Sequence, residues 1–135
     1  MKKKKRRNKK KSSRFAIKFP LGIIKPIANF LSHEARRLER RKKTLSRQDP
    51  FADVRRVTDN AASDSDAAEQ VGHAQVTAMQ KQVDRKLIQI KKALARIKIG
   101  KYGTCEKCGR MVDTDRLMVM PEATICVKCE KKKEK

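Results

Sequence analysis

From Asp66 to Ile99 the apolar residues fall at steps of three and four: Val76, Met79, Val83, Leu87, Ile90, Leu94 and Ile97. That spacing predicts a helix with one apolar seam sustained over about three heptads, as in a coiled coil. Asp66-Ala-Ala-Glu69 gives it a capping-box-like start, Gly72 weakens its first turns, and Gly100 and Gly103 stop it. A thinner stripe, Ile27, Phe30, Leu31, Ala35, Leu38 and Leu45, runs toward Gln48 in a frame of Arg and Lys. Pro26 suits the first position of that helix. Asp49-Pro50 ends it, because the residue before a proline is disfavoured in the α region. The two stripes predict an antiparallel helical hairpin over residues 26–99, with an Asp-, Ser- and Asn-rich tip near 49–66.

Upstream of the hairpin, residues 15–25 are apolar, but Lys18, Pro20 and Lys25 interrupt them. They read as a strap packed on the helices, too short and broken for a membrane span or a signal core. No membrane association is therefore expected, although an apolar segment beside a polybasic arm is also the two-signal pattern of an interfacial anchor. Residues 1–14 hold ten Lys or Arg and no apolar residue after Met1, which predicts a disordered basic arm. Its functional reading is non-specific contact with nucleic-acid phosphates; the bland one is a solubilising tail.

Composition narrows the fold class. With 38% hydrophobic, 4% aromatic and 39% charged residues, a thick core is not expected in 135 residues. The balance suits a mainly α chain: paired helices with a narrow seam, joined to a small metal-stapled unit. The net charge of +22 points to an anionic partner or a complex that bears nucleic acid. That charge is uneven. Residues 1–48 carry nineteen basic and two acidic side chains, whereas 49–70 carry two basic and six acidic ones. The tip is an acidic island in a basic chain.

The candidate chemistry lies in residues 100–130. Cys105-Glu-Lys-Cys108 and Cys126-Val-Lys-Cys129 are two C-x2-C pairs separated by seventeen residues. Each pair presents two thiolates from one turn, and the spacer lets the second pair close a tetrahedron, so one structural Zn2+ is expected. Four thiolates leave no open position for water or substrate. Two disulfides or reduced core cysteines are the alternative, and the lack of a secretory signal argues for metal and for a cytoplasmic chain. Met111, Val112, Leu117, Met118, Val119, Met120 and Ile125 are candidates for an apolar base under the metal, and residues 131–135 form a basic tail. His33 and His73 join no constellation with the cysteines. No nucleophile, base and orienter triplet is visible, so neither an enzyme nor a small-molecule substrate is expected.

Arg85-Lys-Leu-Ile88, Ala93-Leu-Ala-Arg-Ile97, Gly100-Lys-Tyr-Gly-Thr-Cys105, Cys108-Gly109, Arg116-Leu117 and Pro121-Glu-Ala-Thr-Ile-Cys126 together resemble the DksA/TraR zinc-finger family of bacterial transcription factors. The resemblance covers roughly residues 64–130. It implies a coiled coil projecting from a zinc-finger base and inserted into the secondary channel of RNA polymerase, where members alter promoter complexes without reading a DNA sequence. Some respond to the alarmone ppGpp. The family's tip pattern is Asp-x-x-Asp-x-Ala. Counted back from Arg85 without gaps, Asp66 and Ala68 fall on the second acid and the alanine, Ser63 falls on the first acid, and Asp64 is one place away. Asp49 and Asp53 are a rival pair, spaced one residue too far apart.

The leading expectation is thus a monomeric regulator that binds RNA polymerase, with Asp64, Asp66 and Ala68 at its tip. Its bland counterpart is that these acids only cap a helix. The rival function is a basic zinc-ribbon protein that binds nucleic acid directly, such as a ribosome-associated one.

Overall fold

The computed structural model describes residues 19–53 and 63–133, and for 63–65 the backbone alone. The basic arm at 1–14, the first part of the strap, the centre of the acidic loop at 54–62, the Asp64 side chain and the last two residues lie outside the described residues. Among the described residues four helices follow in order: α1 Leu21–Gln48, α2 Ser63–Lys98, α3 Thr114–Val119 and α4 Val127–Lys131. A single 3-10 turn, Pro50–Ala52, follows α1. No strand occurs among the described residues; an isolated bridge joins Thr104 and Met111.

The long helices form the expected antiparallel hairpin. Leu31, Ala35, Leu38 and Leu45 of α1 and Val83, Leu87, Ile90 and Ala93 of α2 are buried in one cluster. Ile27, Val76, Leu94 and Ile97 pack at its edge. Polar pairs flank this seam and fix its register: Lys42 to Asp84 at 2.6 Å, Lys91 to Glu39 at 3.4 Å, and the Gln80 side-chain amide to Ser46 Oγ at 3.3 Å. Exposed pairs of this kind contribute little each, about 0–1 kcal/mol, so the apolar seam supplies most of the stability. Ile90 is fully buried whereas Met79 is 46% exposed. Ile90→Ala should cost about 2–5 kcal/mol and Met79→Ala under about 1 kcal/mol. Urea denaturation followed by circular dichroism checks the pair; equal midpoints would mean that the seam is misplaced.

The seam read from the sequence is corrected at three positions. Met79 faces outward, and Ala93, too small to mark a stripe, takes a buried place at 1% exposure. On α1, Phe30 is likewise outside the seam, at 57% exposure.

The first helix also begins earlier than expected. It starts at Leu21, with Pro20 as N-cap and Pro26 inside it, so residues 21–25 are helix rather than strap. The Pro20 carbonyl accepts from the amides of Ile23 and Ile24 at 3.0 and 3.2 Å, which starts the helix ahead of Pro26. Pro26 lacks an amide and its ring crowds the carbonyl four residues back, a cost that favours starting the helix at Pro26. Tertiary anchoring opposes that cost. Phe19 sets its ring edge-on to Tyr102 at a centroid distance of 5.8 Å, and Ile27 packs against both the seam and the finger core. The second helix likewise begins at Ser63, so Asp66 lies in its first turn and Asp66-Ala-Ala-Glu69 is not its start.

At 1.5 Å per residue α2 is about 54 Å long and α1 about 42 Å. The finger sits at one end, where α1 begins and α2 finishes. At the other end α2 overhangs α1.

Candidate metal centre and acidic tip

The finger is built from turns. α2 closes with a Schellman pattern: the Lys101 amide donates to the Arg96 carbonyl at 2.8 Å and the Gly100 amide to Ile97 at 3.1 Å, with Gly100 at φ +71. Gly103, at φ +75, is packed directly under the Phe19 ring, so its missing Cβ matters twice, for backbone and for space. The chain then folds the first cysteine turn, in which the Cys105 amide donates to the Arg110 carbonyl at 2.7 Å and the Gly109 amide to Cys105 at 3.0 Å. The second pair is delivered by α4, where the Cys129 amide donates to the Cys126 carbonyl at 3.0 Å.

Beneath these turns Tyr102, Cys105, Val112 and Leu117 are buried. The Tyr102 hydroxyl donates to the Pro121 carbonyl at 2.9 Å, and burial, then the Glu122 charge, pushes its pKa up to about 12. Arg96 ties α2 to the finger by donating to the Thr104 carbonyl at 2.5 Å, while Arg116 of α3 binds Glu130 of α4. Of the apolar base expected from the sequence, Val112 and Leu117 are buried. Met118 and Val119, by contrast, are 83% and 82% exposed, because α3 has only one inward face.

The four sulfurs of Cys105, Cys108, Cys126 and Cys129 lie within 4.8 Å of one another. The Cys108 and Cys126 sulfurs are 3.6 Å apart. A tetrahedron with Zn–S bonds of about 2.3 Å requires sulfur separations of about 3.8 Å, so the geometry fits zinc. The electrostatics agree. Burial pushes the Cys105 thiol up, but amides of Cys126, Cys108 and Lys107 pull it down further, to about 6. The Cys126 amide donates to the Cys105 sulfur at 3.3 Å. Cys129 is pushed to about 12, first by its hydrogen bond with the Cys126 side chain. Sulfurs this close cannot all be thiolates unless a cation lies among them. Zinc supplies that charge and staples the turns together.

A model of the prokaryotic DksA/TraR C4-type zinc finger matches residues 100–135. The finger is therefore similar to the DksA/TraR C4 type. One structural zinc held by its four cysteines follows. The DksA/TraR likeness extends beyond the finger in shape. The structure of transcription factor DksA2 from Pseudomonas aeruginosa superposes with a TM-score of 0.64 and 20% identity, over 84% of each chain. The hairpin with its finger therefore has the DksA fold. General stress protein 16O of Bacillus subtilis is 37% identical over 51 residues, which are 37% of this chain and 31% of that protein. The match thus spans about a third of that relative's length.

The tip lies at the opposite end from the zinc. Asp66 and Ala68 are exposed in the first turns of α2, about 50 Å along the helix from the finger. Asp49 is not available in the same way. Its carboxylate holds His73 Nδ1 at 2.8 and 2.9 Å and accepts from the Phe51 amide at 3.0 Å. The Phe51 ring lies on the His73 ring at 4.4 Å. This clasp joins the end of α1 to α2 ten residues inside its start, and His73, which joins no constellation with the cysteines, is its centre. Nothing in the spacing of Asp49 and His73 announced it; only the hairpin register brings them together. Among the described residues no helix is long and apolar enough to cross a membrane.

Proposed function

We propose that this protein is a cytoplasmic regulator of transcription that binds RNA polymerase, inserting the α1–α2 hairpin into the secondary channel so that its acidic tip reaches the catalytic centre. The DksA fold carried on a DksA/TraR finger is the observation that supports this reading. The geometry supports a division of labour. The zinc-stapled base and the hairpin dock, and Asp64, Asp66 and Ala68, about 50 Å away, act. A metal or basic groups in the channel would attract these carboxylates. Saturated zinc coordination offers no catalytic position, in keeping with a binding protein.

Nucleic-acid binding is a second reading, supported by the net charge of +22 and by the ten Lys and Arg of residues 1–14. Pull-down with the full chain under nuclease treatment separates the two. Polymerase subunits retained without nucleic acid are expected; loss of every partner after nuclease would reject the polymerase reading.

A further inference from the structure

The hairpin carries paired cations beside its seam and, among the described residues, exposed ones in no ion pair on both helices, Lys81, Arg85, Lys92 and Lys98 on α2 as well as those of α1. Those beside the seam meet acids: Arg37 and Lys86 with Glu34, Lys42 with Asp84, and Lys91 with Glu39. Arg36, Arg40, Lys43 and Arg47 on α1 are exposed and form no ion pair among the described residues. Arg36 Nε donates to the Ser32 carbonyl at 3.3 Å, which leaves its charge uncompensated. At about 100° per residue these four positions share an arc of about 60°, opposite the buried Leu31, Ala35, Leu38 and Leu45. Lys25 lies on the same line, further toward the start of the helix.

We propose that this outer face of α1 is a binding track for the phosphodiester backbone of nucleic acid. Neighbouring side chains along the line are about 5–6 Å apart at Cβ, and long Arg and Lys side chains on it can reach the phosphates of each strand that crosses the helix. From Lys25 to Arg47 the line runs about 33 Å, close to one duplex turn of about 34 Å. A shallow depression of about 480 Å³ opens beside Arg36, Arg40 and Lys43, and Glu39 at its edge is turned to Lys91. The line contains no large apolar residue to enter a bilayer, so it fits phosphates rather than a lipid surface. In sequence, the ten Lys and Arg of residues 1–14 precede α1 and add to the positive charge of this part of the chain. Contacts of this class carry no sequence information, so binding should be non-specific. The inference stands whether or not the protein binds polymerase.

Full-length protein and the variant Arg36→Gln, Arg40→Gln, Lys43→Gln, Arg47→Gln would be titrated, by anisotropy over a range of salt, against a 20-base-pair DNA duplex and an RNA duplex of equal length. Gln matches Arg and Lys in helix propensity, so circular dichroism should be unchanged. On DNA each lost phosphate contact lowers the log–log salt slope by about 0.9, so loss of all four lowers it by about 3.6. A control, Lys81→Gln, Arg85→Gln, Lys92→Gln, Lys98→Gln, removes the same charge from α2. The proposal holds if the α1 variant loses at least about 1.8 of slope on either duplex and the control loses less than half as much. It is overturned by a smaller loss, by an equal loss in the control, or by a variant that loses binding to anionic vesicles while keeping both duplexes. Comparing the duplexes tells which nucleic acid is the better ligand.

Discussion

Cys126→Ser is expected to abolish zinc binding and unfold the finger while most of the helical signal of α1 and α2 remains. Structural zinc contributes about 10–16 kcal/mol in small four-ligand units, as much as or more than a whole domain's stability of about 5–15 kcal/mol. The finger has little else to hold it. Its buried apolar cluster is only Tyr102, Cys105, Val112 and Leu117, and α3 and α4 are six and five residues long. Tyr102 is the single tyrosine of a chain without tryptophan, so its fluorescence reports on this core alone. Metal analysis should give one zinc per parent chain and none in the variant, with Tyr102 becoming accessible to quencher. A variant that keeps its metal, or loses it with Tyr102 still shielded, would contradict the assignment of zinc as the staple.

The hairpin was legible because a 3.5-residue apolar period can be satisfied only by a helix that buries one seam, and Val83, Leu87 and Ile90 behave accordingly. The metal centre was legible because C-x2-C pairs serve little else in a reduced chain. What stayed hidden depends on tertiary contact. Met79 and Phe30 share the period but not the seam, since α2 and α1 present more apolar residues than one thin interface holds. Pro26 looked like a helix start because the local cost of an interior proline is visible in sequence, whereas the tertiary anchoring of Phe19 and Ile27 that opposes it is not. The His73–Asp49 clasp spans twenty-four positions and needs the register of the finished hairpin.

Asp66→Asn is expected to leave polymerase affinity within about twofold of the parent and to remove most of the effect on open-complex lifetime. Asp66 sits in the first turn of α2, so its carboxylate also meets the positive end of the helix. That contribution is about 0.3–1 kcal/mol, too small to unfold a helix packed along the seam. Loss of activity with binding intact would therefore come from the missing charge at the tip. Asp64→Asn and Ala68→Thr should behave similarly, since Asp64 is the neighbouring acid of the tip and Ala68 its small residue. Competition binding and open-complex decay would be measured side by side. Full activity in all three variants would mean that the acids only stabilise the helix end.

The most direct test places a photo-crosslinking residue at position 68, in the otherwise native zinc-loaded chain, and maps its adducts on RNA polymerase after nuclease treatment. Ala68 is exposed at the tip, so the probe can be carried there without disturbing the seam. The account predicts adducts on polymerase residues lining the secondary channel near the catalytic centre, with none from a control probe at exposed Lys128 of α4 beside the zinc site. Adducts from position 68 confined to the outer surface of polymerase, or found only on nucleic acid before nuclease treatment, would contradict it.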